Sequence, residues 1–263
     1  MINKNKRKTL VKLIIFAFIG AGLLLFLSAQ YATPVLMYHH IAPAENDSRL
    51  YVSPESFERQ MRFLKENNYR ILSLGEYVSF MKDNAKPPKK SVVITFDDGY
   101  ADNFINGYPT LKNLAIPATI FIVTGWVGED DMMSWDQIRE LAKSGLISIG
   151  SHTLSHCELD RIDINLVRSE IARSKSLLES RLNMGIDYFS YPCGFLNEAV
   201  RESVKEAGYK AACATKPTPE SRLDDIYAIT RIRISGSSDN LLNFRFKVSG
   251  YYNLLRNLKA KRK

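Results

Sequence analysis

The sequence predicts an α/β barrel, closed or nearly so. Three observations point there. Between residues 35 and 234, short apolar runs alternate with helix-length amphipathic stretches. Seven or eight β–α units follow one another, a pattern that implies a mainly parallel sheet. Polar clusters stand directly after four of the expected strands, the rim on which barrels of this kind gather their chemistry.

The elements follow in chain order. Val35-Leu36-Met37-Tyr38 is the first strand. Ser53 caps a helix that starts on Pro54 and runs to about Glu66. Ser91 to Phe96, rich in β-branched residues, is the second strand. A helix near 103–114 and a strand over 118–123 come next. Ser134 caps a helix to Lys143, which Gly145 ends. Residues 146–150 form a strand. Asn165 to Leu182 is a long helix with Val167, Ile171, Leu178 and Leu182 on one face. A strand over 188–191, a helix over 197–207 stopped by Gly208, and strands over 209–214 and 229–234 complete the pattern.

A different kind of segment precedes the barrel. Residues 13–29 carry no charge and are strongly apolar. About 17 residues at about 1.5 Å each reach roughly 25 Å, near the minimum for a membrane span. Lys4, Lys6, Arg7, Lys8 and Lys12 come before it and should stay in the cytoplasm, which places the rest outside. The expected organisation is a basic tail over 1–12, a single transmembrane anchor over 13–32, and one extracellular domain over 33–263. The rival is a cleaved signal peptide. It is disfavoured because Leu27 and Gln30 stand where a small residue should precede Ala29 and Ala32.

The net charge of +8 suggests nucleic acid, but its placement does not. Ten basic residues lie in the two tails, the second group being Arg256, Lys259, Lys261, Arg262 and Lys263. Setting those ten aside leaves 26 basic residues against 28 acidic ones. A nucleic-acid enzyme would carry its basic stripe on the folded domain, so no nucleic-acid partner is expected. Cys157, Cys193 and Cys213 do not make a disulfide framework and read as small hydrophobes.

Four polar clusters carry the chemistry. Asp97 and Asp98 end the second strand. An Asp-Asp-Gly turn would explain them, but adjacent like charges repel, and a cation beside them relieves this. His152 and His156 stand four residues apart after another strand. With one carboxylate they make a His₂-Asp set that leaves positions open for water and substrate, while the second carboxylate is placed to act as a base. Of His39 and His40, one should point into the barrel mouth and could serve as a general acid; the bland alternative makes both buried hydrogen-bonders. In Tyr191-Pro192-Cys193-Gly194, a rigid turn, an exposed backbone N–H could stabilise an oxyanion. Arg231 and Arg233 alternate with Ile232 and Ile234, and an inward arginine would pair with a carboxylate.

These residues resemble those of the polysaccharide deacetylases with the NodB homology domain, carbohydrate esterase family 4. Thr95-Phe96-Asp97-Asp98-Gly99 is similar to the first motif of that family. His152-Thr153-Leu154-Ser155-His156 is similar to the second. The resemblance implies a distorted (β/α)7 barrel of NodB type. It implies Asp97 as base, with Asp98, His152 and His156 holding a divalent metal, Zn²⁺ first and Co²⁺, Ni²⁺ or Mn²⁺ as substitutes. Two departures matter. Ser190 and Cys193 replace an arginine and a tyrosine of the third motif, and no histidine follows His156. Both resemble the branch that opens with Y-H-x-I/V and deacetylates poly-N-acetylglucosamine. There Tyr38-His39-His40-Ile41 would put His39 in the role of acid, and Arg231 would stand beside Asp97. The Cys193 N–H would serve the oxyanion, and Tyr191 and Pro192 would touch substrate. The implied activity is hydrolysis of N-acetyl groups from an extracellular glycan polymer. Peptidoglycan, O-acetyl glycans and a catalytically silent glycan-binding role remain alternatives.

Overall fold

A computed structural model describes residues 31–43, 49–215 and 225–252, with Phe16, Gly20 and Gly22 besides. Two compact units divide the chain. Residues 33–248 form one, and residues 1–32 with 249–263 form the other. The anchor expected over 13–32 lies outside the described residues, apart from those three positions. Among the described residues no helix is long and apolar enough to cross a membrane.

The larger unit is a parallel barrel. Its strands are β1 (Val35–Tyr38), β2 (His40–Ile41), β3 (Tyr51–Val52), β4 (Arg70–Leu72), β5 (Ser91–Phe96), β6 (Ala118–Ile122), β7 (Ile147–Ser151), β8 (Tyr188–Ser190), β9 (Ala211–Ala214), β10 (Ile229–Thr230) and β11 (Ile232–Arg233). The helices are α1 (Pro54–Glu66), α2 (Leu74–Lys82), α3 (Tyr108–Asn113), α4 (Trp135–Lys143), α5 (Ile164–Leu182), α6 (Glu198–Glu206) and α7 (Leu241–Lys247). Along the sheet the order is β10-β9-β8-β7-β6-β5-β1-β11, with β4 added against β5. Strands β2 and β3 make a separate parallel pair.

The last two strands explain the closure. They are one stretch of chain, interrupted only at Arg231. Its first half pairs with β9, Thr230 opposite Ala214. Its second half pairs with β1, Ile232 opposite Leu36. A single crossing segment therefore joins the two edges of an otherwise open sheet, leaving seven strands around the ring. Every residue of β1, β5, β6 and β9 is buried, as expected of strands covered on both faces.

Local chemistry sets the helices. Ser53 Oγ accepts from Ser56 N at the start of α1, a cap that contributes about 1 kcal/mol. Ser134 does the same for α4, with Gln137 closing a capping box. On α5, Val167, Ile171, Ser174 and Leu178 are buried, and Leu182 is half-buried. The helix expected near 103–114 is a π-turn over Asn103–Gly107 leading into α3. Tyr108 N reaches back five residues to the Asn103 carbonyl. Pro109 follows with no N–H to sustain the ordinary ladder.

Candidate active site

Strand β5 delivers two carboxylates to the barrel mouth. Asp97 N donates to the Tyr38 carbonyl, 3.0 Å, and so extends the β1–β5 pairing by one residue. The backbone then turns left-handed at Asp98, φ 74°, and at Gly99, φ 91°. Strict strand alternation would have sent the two side chains to opposite faces. This turn instead lets both face one cluster of imidazoles and one guanidinium.

Asp97 faces Arg231. Arg231 Nη1 donates to Asp97 Oδ1 at 2.6 Å, and Nη2 donates to Oδ2 at 2.7 Å. The arginine is 0 % exposed. It also donates to Ser190 Oγ, 2.8 Å, and Thr95 Oγ1, 3.2 Å, and lies 5.5 Å over the Phe121 ring. Ser190 is small where the family motif has arginine, and the guanidinium of Arg231 occupies the space beside it. The charge is thus supplied from the closing segment.

Asp98 faces the histidines. Its Oδ1 lies 3.4 Å from both His152 Nε2 and His156 Nε2. Ligand atoms of these three residues all lie within 4.8 Å of one another. Two donors about 2.0–2.2 Å from a tetrahedral Zn²⁺ stand roughly 3.3–3.5 Å apart, so the spacing fits such an ion. Buried Asp98 Oδ1 receives no hydrogen bond from the described residues. His152 Nδ1 lies 2.7 Å from the Ser190 carbonyl, which can only accept. The proton is therefore on Nδ1, which leaves the Nε2 lone pair available to a cation beside Asp98.

No helix joins the two histidines. They sit on a compact loop with left-handed residues at Thr153, φ 69°, and His156, φ 61°. Glu170 of α5 holds that loop. Its Oε2 accepts from Leu154 N and Ser155 N, 3.0 and 2.9 Å, and its Oε1 from the Ser155 hydroxyl, 2.9 Å. From the other side, Gly125 N donates to the Leu154 carbonyl at 2.7 Å. A Cβ at Gly125 would meet that oxygen at 2.5 Å. Sequence reasoning missed Glu170. Replacing it with Ala should weaken metal binding by about 10- to 100-fold while the fold persists, as loss of an outer-layer support usually does. Titration of the metal-stripped protein with Zn²⁺ checks this, and Glu170→Gln should fall between the two.

The electrostatics favour a cation. Burial pushes Asp97 up, but Arg231, then His152 and His39, outweigh it and hold the carboxyl below its usual range. Burial likewise opposes ionisation of Asp98, and the imidazoles beside it hold it low. His152 is lowered by burial and raised more strongly by Asp97 and Asp98, with a net rise. His156 is lowered by burial and by His152.

His39 and His40 separate as the strand alternation suggests. His40 is tied down: its Nδ1 lies 2.7 Å from Asp102 Oδ2, and its ring stacks between Tyr51 and Tyr100. His39 Nδ1 is buried with no hydrogen-bond partner among the described residues. Burial lowers its pKa, and the charges of Asp97 and Asp98 act against that.

The turn after β8 differs in part from expectation. Cys193 stands at φ 56° with its side chain exposed. Tyr191 and Pro192, expected to contact substrate, are both buried. The Tyr191 hydroxyl donates to the Tyr227 carbonyl at 3.0 Å, which ties its side chain to the segment before β10. Arg233, the alternative inward arginine, is exposed. Trp126, half-buried, lies 5.1 Å from His156 between ring centroids.

Comparisons with known proteins show what the chain resembles. A family profile described as polysaccharide deacetylase matches residues 84–212. YxkH of Bacillus subtilis, which carries a polysaccharide deacetylase designation, is 37% identical over 77% of this chain and 71% of its own. A poly-beta-1,6-N-acetyl-D-glucosamine N-deacetylase of Staphylococcus aureus is 32% identical over 70% of this chain and 68% of its own. The solved structure of the Streptococcus pyogenes deacetylase PplD in complex with acetate superposes with a TM-score of 0.73. Its identity is 29%, over 81% of this chain and 97% of that one.

Proposed function

Since the chain belongs to the polysaccharide deacetylase family, we propose that it removes N-acetyl groups from an N-acetylglucosamine polymer and releases acetate. The observation that carries this is the pairing of Arg231-bound Asp97 with the Asp98–His152–His156 cluster in one buried mouth. The S. aureus relative supports poly-N-acetylglucosamine as the polymer.

Asp98, His152 and His156 would hold a divalent ion, Zn²⁺ by its preference for this donor set and spacing. When bound, such an ion acidifies water and polarises a carbonyl. The chain supplies the rest. Asp97, kept ionised by Arg231, takes the proton of the attacking water. The Cys193 N–H faces the acetyl oxygen as charge gathers there. His39 delivers a proton to the leaving nitrogen, so that amine and acetate separate. The proton held by Asp97 then returns to His39, and the balance closes. We place the domain outside the cell, held by the apolar segment 13–32, on the charge asymmetry of the sequence.

The test uses protein stripped with a chelator and reloaded with Zn²⁺, supplied with N-acetylglucosamine oligomers. Acetate and free amine should appear in equal amounts and only with metal. Acetate without amine would assign an O-acetyl esterase instead. Absence of acetate in every metal state, with peptidoglycan as well, would overturn the hydrolase reading.

A further inference from the structure

We propose that Asp102 and Asn103 are positioning residues that aim the His39 ring through its backbone and through His40. This rests on the reading of His39 as the proton donor. A catalytic imidazole is ordinarily oriented by a hydrogen bond to its second ring nitrogen. His39 lacks that support, because its buried Nδ1 has no partner among the described residues. Its aim must come from the chain on either side.

That chain is clamped at successive points. Asn103 Nδ2 donates to the His39 carbonyl at 2.6 Å. The same nitrogen donates to Asp102 Oδ1 at 2.8 Å, which links the two clamps. Asp102 Oδ1 also accepts from Ile41 N at 3.0 Å, and Asp102 Oδ2 accepts from His40 Nδ1 at 2.7 Å. The His40 ring lies flat against Tyr51, 4.2 Å between centroids and 2° between planes, with Tyr100 on its other face. On the preceding side Tyr38 is fixed by its hydroxyl, which donates to Gln60 Oε1 at 2.7 Å. Of the three ring-bearing residues Tyr38, His39 and His40, His39 is thus the one held through its neighbours. Asp102 and Asn103 begin the π-turn, only four and five residues beyond Asp98. One segment therefore carries a metal-binding carboxylate at one end and the clamp on the proton donor at the other.

The variants are Asn103→Ala, Asp102→Ala and Asp102→Asn, with His39→Ala as reference. All are measured as full chains loaded with Zn²⁺. Two substrates are used: N-acetylglucosamine oligomers, whose amine needs a proton to leave, and 4-nitrophenyl acetate, whose phenolate does not. Asn103→Ala and Asp102→Ala should lose about 10- to 100-fold in kcat on the oligomers, the penalty of misplacing a reacting group. KM and metal content should hold, and the phenyl ester should be cleaved at the parent rate. Asp102→Asn should recover much of the loss, because its amide can still donate to His40 Nδ1 in the other tautomer. Equal losses on both substrates, or parent kcat in Asn103→Ala, would overturn the clamp. If His39→Ala itself shows no preference between substrates, the failure lies with the proton-donor reading instead.

Discussion

Asp97→Asn should leave the metal in place and remove turnover. An amide cannot take the proton of the attacking water, and general-base catalysis of this kind contributes about 10²- to 10⁴-fold. The three would-be metal ligands are untouched, so metal content should match the parent. A stability cost should accompany the loss. Arg231 is 0 % exposed and would keep its charge without a carboxylate to face. Breaking one side of a buried pair costs about 3–5 kcal/mol, a large share of the about 5–15 kcal/mol that holds a domain folded. The melting temperature should therefore drop while the protein still folds. Hydrolysis at the parent rate would remove Asp97 from the role of base.

Replacing Arg231 should move the pH profile as well as the rate. In the parent, Arg231, with His152 and His39, outweighs burial and holds Asp97 below the usual carboxylate range. In Arg231→Met, burial acts with less opposition and the Asp97 pKa rises. A base must be a carboxylate to work, so activity at pH 6 should fall more than activity at pH 8. The acid limb of kcat/KM should move to higher pH. Arg231→Lys keeps the charge but not the two-pronged geometry and should lie between. The same pair bears on the fold. Its stabilisation is fully present above the unfolded carboxylate pKa of about 4 and is lost as pH falls through the depressed pKa of Asp97. An unmoved acid limb in Arg231→Met would show that something else sets the ionisation of Asp97.

Much of the fold was legible because it is written locally. The Ser53-Pro54 start of α1, the β-branched run of β5 and the Asn197 cap of α6 each act over a few residues. Helix α2 was missed although its capping box, Ser73 with Glu76, is of the same local kind. Strand β4 was missed because three residues carry too little pattern. The site divides in the same way. The motifs bring Asp98, His152 and His156 together, while the His40 ring is held on Asp102. Glu170 was invisible, since a carboxylate on a helix reads as solvated surface until the loop it holds is seen. The role of Ser190 was hidden for a related reason: its value lies in a carbonyl and in the room it leaves for Arg231. The split of the last strand between β9 and β1 depends on pairing across nearly the whole domain, and no window of sequence contains it.

That last pairing has a consequence for how the molecule is made. During synthesis the segment carrying Arg231 emerges after every other strand of the ring. Until then β1 and β9 each present an open edge, and edges of this kind recruit other chains. Joining them requires closing the longest loop in the domain, an intrinsically slow event. Asp97 waits through the same interval without its counter-charge. Completion of the barrel and arming of the base are therefore one event, and a partly folded chain would be not only sticky but catalytically inert.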